Sequence, residues 1–147
     1  KDTYMELFNV ISRNTTGEPG CIISDFEIAA IQACRETFVG TELRGCLFHL
    51  TQSIFRRVQS NSEIYQRYKN DDTDGRKVRA MIRCLGALAF LPTIEVMNGF
   101  LELRNQFAST DAVREIFRYF LVTYIGYSWD DVLFPVDFWN VSDRFRE

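Results

Sequence analysis

No run of apolar residues approaches the roughly 20 needed to cross a bilayer. The opening "KDTYMELFNV" also lacks a basic start followed by an apolar block. The sequence therefore predicts no membrane span and no secretory leader, and its first residues read as part of something longer. Histidine is almost missing: His49 is the only one. With no second Cys/His pair nearby, a four-ligand structural zinc is not expected. Lysine is scarce too, since all but Lys1, Lys69 and Lys77 of the 17 basic residues are arginine. Internal repeats and low-complexity tracts are absent. The four cysteines, Cys21, Cys34, Cys46 and Cys84, lie inside apolar patterns. They read as buried free thiols of a reducing, intracellular protein, because a chain this long and apolar needs no disulfide framework.

What is present is an ordinary globular composition. The chain has 147 residues, 46% of them hydrophobic and 25% charged. That fits one domain with a substantial core. The net charge of −3 does not by itself point to nucleic acid. Its distribution says more. Between residues 56 and 83 stand Arg56, Arg57, Arg67, Lys69, Arg76, Lys77, Arg79 and Arg83, against Glu63, Asp71, Asp72 and Asp74. A basic middle in an otherwise acidic chain can track phosphates. It can equally be a set of solvated helix faces.

The apolar periodicity sets the order of elements. Tyr4, Leu7, Phe8 and Ile11 have helical spacing, and "NTTGEPG" is a loop. "CII" (Cys21–Ile23) reads as a short buried strand. Phe26, Ala29, Ala30, Ala33, Cys34, Thr37 and Phe38 mark a helix, with Ser24 and Glu27 as a capping box at its start and Gly40 beyond its end. "ELRGCLF" (Glu42–Phe48) reads as a second strand. Leu50, Ile54, Phe55 and Val58 then share a helix face opposite Arg56 and Arg57. Such alternation predicts parallel strands with crossover helices. Two strands do not make a free-standing sheet. After them come a short helix at Ile64–Tyr68, a polar break at Asp71–Gly75, and a helix on Val78, Met81, Ile82, Leu85, Leu88 and Ala89, halted at Pro92. A further helix carries Val96, Met97, Phe100, Leu101 and Phe107. The last, capped at Ser109-Thr110-Asp111, carries Val113, Ile116, Phe117, Phe120, Leu121 and Tyr124. The predicted class is thus helix-rich α/β. Residues 1–61 form the α/β part, residues 62–126 an all-α insertion, and residues 127–147 a segment returning toward the core.

Three places can carry chemistry. In "ISDFE", Asp25 follows an apolar strand at the carboxyl end, where α/β sheets place ligands. It is either a plain helix cap or one carboxylate of a divalent-metal site. In "GCLFH", Cys46 and His49 fall at the same edge and can share a metal, though two ligands do not make a zinc site; a satisfied structural histidine is the alternative. In "FPVDFWNVSDR", aromatics beside Asp137, Asn140 and Asp143 either frame a binding surface or pack back on the core.

As a series, these blocks resemble a known family. "SDFEIAAIQACRETF" followed by "LRGCLFHLTQSIFRRVQ" is similar to the catalytic core of Mutator-like element (MULE) transposases. "IYQRYKNDD" and "VRAMIRCLGALAFLP" resemble the helical insertion of animal members, and "YFLVTYIG" and "FPVDFWNVSDR" the segment leading out of it. The D-F-E-x-A and G-C-x-F-H-x-x-Q blocks carry most of the likeness. The resemblance implies an RNase H-like fold interrupted by an α-helical insertion. It implies an Asp-Asp-Glu triad holding two Mg²⁺ or Mn²⁺ ions that cut and join DNA, in a nuclear protein. It makes Asp25 the second triad carboxylate and a metal ligand, and places Cys46 and His49, its C-x-x-H signature, near the catalytic centre.

The same comparison sets limits. The first triad Asp belongs upstream of Lys1 and the Glu beyond the Trp139 segment, Glu147 being too close to Trp139 to serve. The regions that recognise transposon ends have no counterpart here. One aspartate cannot bracket two metals about 4 Å apart. The expectation is a catalytically incomplete portion of a transposase, or a domesticated module binding nucleic acid or protein. Two strands with open edges further predict a homo-oligomer or a strand-completing partner.

Overall fold

The amino-terminal helix α1 (Asp2–Asn14) forms where the 3.6-residue spacing of Tyr4 and Phe8 gives it an apolar stripe. Asp2 in its first turn and Arg13 in its last complement the helix dipole. A computed structural model describes residues 1–127 and 132–145 of the chain. Its contacts divide it into two units, Lys1–Cys46 and Leu47–Glu147. The fold is helix-rich α/β with a two-stranded parallel sheet.

In the first unit, α1 packs on α2 (Ile28–Thr37). Phe8 meets Phe38 edge-on at 6.0 Å, and the Tyr4 hydroxyl donates to Glu27 Oε2 at 2.6 Å. Strand β1 (Cys21–Ser24) pairs in parallel with β2 (Glu42–Gly45), Cys21 opposite Glu42 and Ser24 opposite Gly45. The buried apolar residues of this unit are Ala30, Ile31, Ala33, Cys34 and Phe38. α1 buries none of its residues completely. Gly40, at a φ of +90°, makes the turn from α2 into β2 in a region that favours glycine.

Three local expectations are corrected here. Ser24 and Glu27 form no capping box: α2 begins at Ile28, and Glu27 is its N-cap residue without a side-chain bond. The Ser24 carbonyl is taken by the ladder, accepting the Cys46 N–H at 2.8 Å, so the strand claims the residue before the helix can. β1 is not a buried strand, since Ile23 is 61% exposed. And β2 stops at Gly45, because Leu47–Ser60 is helical (α3).

The second unit is built on α3, whose buried face is Leu50, Ile54 and Val58. It packs on α4 (Ser62–Lys69), α5 (Thr73–Ala87) and α7 (Asp111–Phe120), and α6 (Val96–Phe107) packs on α5 and α7. The caps are side chains of the expected kind: Asn61 accepts from Ile64 N–H, Asp72 from Gly75 N–H and Thr110 from Val113 N–H. The polar break is shorter than predicted, because Asp72 caps α5 and leaves Asp74 and Gly75 in its first turn. Gly75 is required there. A Cβ on it would lie 1.9 Å from the Asn70 carbonyl oxygen.

α5 relaxes into a 3₁₀ turn at Leu88–Phe90, and another at Thr93–Glu95 follows Pro92 and leads into α6. After α7 the chain widens into a π-turn, Leu121–Ile125, closed by the Gly126 N–H donating to the Leu121 carbonyl at 2.7 Å. The short helix α8 (Val136–Trp139) brings in Trp139, fully buried. Its Nε1–H donates to the carbonyls of Tyr124 (2.8 Å) and Phe134 (3.2 Å). Asn140 Nδ2 donates to the Leu91 carbonyl and the Val141 N–H to that of Ala89. The "FPVDFWNVSDR" segment therefore packs Phe134, Phe138, Trp139, Asn140 and Val141 into the helical unit's core, while Asp137 and Asp143 stay exposed. Among the described residues, no helix is long and apolar enough to cross a membrane.

Candidate functional site

Asp25 is the first residue past β1, and Cys46 the first past β2. Register pairs Ser24 with Gly45, so both residues emerge side by side at the carboxyl edge of the parallel pair. Asp25 is exposed. Its Oδ1 accepts the Glu27 N–H at 3.2 Å, an Asx turn that shapes the approach to α2. Ser24 Oγ donates to the Asp25 carbonyl at 2.9 Å. Nearby, the bond to Glu27 raises the Tyr4 hydroxyl above its ordinary pKa. Asp25 thus shapes a turn and still presents an open carboxylate.

Cys46 is half-buried. His49 lies in the first turn of α3, in the second unit. Its Nδ1 is buried with no hydrogen-bond partner among the described residues, and its ring meets Phe48 edge-on at 5.4 Å. The cysteines are all free, but they are not all buried: Cys34 is, Cys46 and Cys84 are half-buried, and Cys21, at the start of β1, is exposed. Burial pushes the Cys34 thiol up from its ordinary pKa. Among the described residues, no three His, Cys, Asp or Glu side chains gather where they could hold a metal ion. The donors among the described residues do not fit a two-metal centre. Glu147 lies outside the described residues.

The basic segment separates into two kinds of cation. Arg67 grips Asp74 through two bonds, Nε to Oδ2 at 2.6 Å and Nη2 to Oδ1 at 2.8 Å. This pair holds the Asp74 carboxyl below its ordinary pKa and the guanidinium above. Arg79 Nη1 donates to the carbonyls of Tyr68 and Asn70, both at 2.8 Å, and Nη2 pairs with Asp71. Both arginines bind the α4–α5 connection together. Arg57 sits over the Tyr119 ring and Lys69 over the Tyr65 ring, at 5.3 and 5.0 Å. Arg56, Arg76, Lys77 and Arg83 are exposed and make no ion pair among the described residues. Arg76 and Arg83, seven apart on α5, share a helix face.

A second cationic group lies where the sequence reading placed none. Arg104 of α6 and Arg114 and Arg118 of α7 line one cleft. They are scattered in sequence and converge only through the packing of α6 on α7. The four-residue spacing of Arg114 and Arg118 was the one available signal. The chain matches no protein-family model, no curated protein and no solved structure.

Proposed function

We propose that the chain is a portion of a Mutator-like transposase or of a protein derived from one, with β1, α2 and β2 forming part of an RNase H-like core and the helices after it the inserted module. The observation that supports this reading is the placement of "ISDFE" and "GCLFH". Asp25 and Cys46 leave adjacent parallel strands at their carboxyl ends, the edge at which α/β sheets present reacting groups. In the parent reaction two Mg²⁺ or Mn²⁺ ions would supply the phosphoryl-transfer chemistry. These residues bring one triad carboxylate to it, so in this reading the stretch on its own binds DNA, and cleavage belongs to a triad that other parts of the parent protein complete. Its partner in this reading is DNA in the nucleus, met by the phosphate-directed cations Arg56, Arg76, Lys77 and Arg83.

A nicking assay on supercoiled plasmid with Mg²⁺ or Mn²⁺ tests the catalytic half. No nicking is expected; nicking lost in Asp25→Ala would overturn the assignment. Duplex binding measured against salt tests the other half. Affinity should fall steeply with salt, and neutralising Arg76 and Arg83 together should lower the log–log slope by about two. Salt-independent binding would overturn it.

The second reading is a domesticated module with a protein partner or a second copy on its sheet. It is favoured by the open edges of the two-stranded sheet and by the exposed Ile23. Light scattering discriminates, since a monodisperse monomer counts against self-pairing.

A further inference from the structure

We infer that α1 is a self-association helix, which pairs antiparallel with α1 of a second copy of this chain. The helix has two apolar sides. One carries Tyr4, Met5 and Phe8 and meets α2 through the Tyr4–Glu27 hydrogen bond, the Thr37 hydroxyl 3.9 Å from Met5 Sδ and the edge-on Phe8–Phe38 contact. The other carries Leu7, Val10 and Ile11, which are 51%, 57% and 42% exposed. Spacings of three and four put these on one stripe, roughly a third of the way round the helix from the side that meets α2. Single exposed aliphatic residues are ordinary. Three on one stripe of a 13-residue helix form a patch.

The charges beside the stripe select what covers it. Glu6 and Arg13 are exposed, and neither makes a hydrogen bond or ion pair among the described residues. They are seven apart, so they flank the stripe on the same side, two turns from each other and beyond each other's reach. The midpoint between them falls at Asn9–Val10, which is also the middle of the stripe. A second copy running antiparallel about a two-fold axis there sets its Arg13 against Glu6 and its Glu6 against Arg13, while Leu7 of each copy meets Val10 of the other. A parallel copy would set Glu6 level with Glu6 and Arg13 level with Arg13, so the order of charges selects one orientation. The pattern is complementary to itself, which is what a two-fold dimer requires and an unrelated partner does not.

The last turn of α1 is held in shape for this contact. Asn14 Nδ2 donates to the Val10 carbonyl at 2.8 Å and Thr15 Oγ1 to the Ile11 carbonyl at 3.0 Å, so the turn that carries Arg13 is closed by side chains. A helix of this length extends about 20 Å. Its stripe covers less area than a permanent dimer buries, so the dimer is weak and dissociates on dilution. The inference rests on α1 and on neither the sheet edges nor the α5 cations, so its failure leaves the proposed function untouched.

Sedimentation equilibrium of the whole chain across the micromolar range tests it, with circular dichroism to follow the folding of each variant. A monomer–dimer equilibrium is expected. Leu7→Ser with Val10→Ser should weaken it by about tenfold or more. Glu6→Arg and Arg13→Glu should each weaken it by about fivefold, because symmetry places two such pairs in every dimer. Both exchanges in the same chain should restore it to within about twofold, and mixing the two single variants should yield a heterodimer. Ile23→Lys, which blocks pairing through the sheet, should leave the dimer within about twofold. If the stripe variant does not fold, the exchange of Glu6 and Arg13 decides alone. The inference is overturned by a chain that stays monomeric, by a dimer that survives the stripe variant, by charge variants that the double exchange does not rescue, or by loss of the dimer in Ile23→Lys.

Discussion

The two units solve the problem of burying apolar surface to different degrees. In Leu47–Glu147, eight aromatic side chains from Phe100 to Trp139 interlock, and the carbonyls of Leu91, Tyr124 and Phe134 each find a side-chain donor. In Lys1–Cys46 the buried set is small side chains plus Ile31 and Phe38, while Leu7, Val10, Ile11, Ile23 and Val39 remain exposed. The difference follows from architecture. Helices close a core among themselves on short connections, but a two-stranded sheet has two faces and two edges to cover, and some 46 residues are few for that work. The first unit leaves much of its apolar surface uncovered; the second encloses a core of its own.

The most drastic test of that contrast is to separate the units. Residues 47–147 expressed alone should unfold in one cooperative transition, and residues 1–46 alone should show no cooperative transition in circular dichroism. A folded 1–46 peptide would break the comparison. Next in size is Trp139→Ala, which empties the centre of the second unit and removes the indole N–H donated to the Tyr124 and Phe134 carbonyls. It should cost about 3–5 kcal/mol in urea denaturation; a loss below about 1 kcal/mol would remove the terminal segment from the core. Gly75→Ala should destabilise by about 1–3 kcal/mol, although alanine ordinarily improves a helix interior by about 1 kcal/mol. A gain in stability would show that α4 and α5 approach less closely than described.

The smallest expected effect is that of Asp74→Asn, about 0.5–1 kcal/mol at neutral pH for a partly exposed pair. The sign with pH is fixed. The native Asp74 carboxyl is held down by Arg67, so the contribution is complete above the unfolded value of about 4 and is lost as pH falls through the lowered native value. Wild type and variant should therefore converge in stability in acid. A difference independent of pH would refute the ion-pair account.

Much of this arrangement was legible in the sequence. The parallel strand pair, the helices after it and the buried face from Val113 to Tyr124 follow from apolar spacing, because burial imposes that spacing directly. What escaped reading were competitions for single groups. Ser24 has the side chain of a cap, but its carbonyl is committed to the ladder with Cys46. Arg67 and Arg79 look like free cations in a basic run, yet each has a local acceptor within hydrogen-bond reach across a turn. The candidate edge shows the same division. That Asp25 and Cys46 end adjacent strands was readable; the Asx turn at Asp25 and the buried Nδ1 of His49, without a partner among the described residues, depend on geometry that spacing does not carry.

The π-turn at Leu121–Ile125 has its own consequence. Five residues apart on a regular α-helix, Tyr119 and Tyr124 would diverge by about 140°. The widened turn instead brings their hydroxyls to 3.4 Å and sets the Tyr124 hydroxyl 2.5 Å from Ser53 Oγ on α3. A π-turn is, in effect, one residue inserted into a helix. Deleting one residue there would let the α-helical register run on and swing the later side chains by about 100°. The join between α7 and the Trp139 segment is thus held by residue count as much as by residue identity, and it will tolerate exchange of side chains better than a change in length.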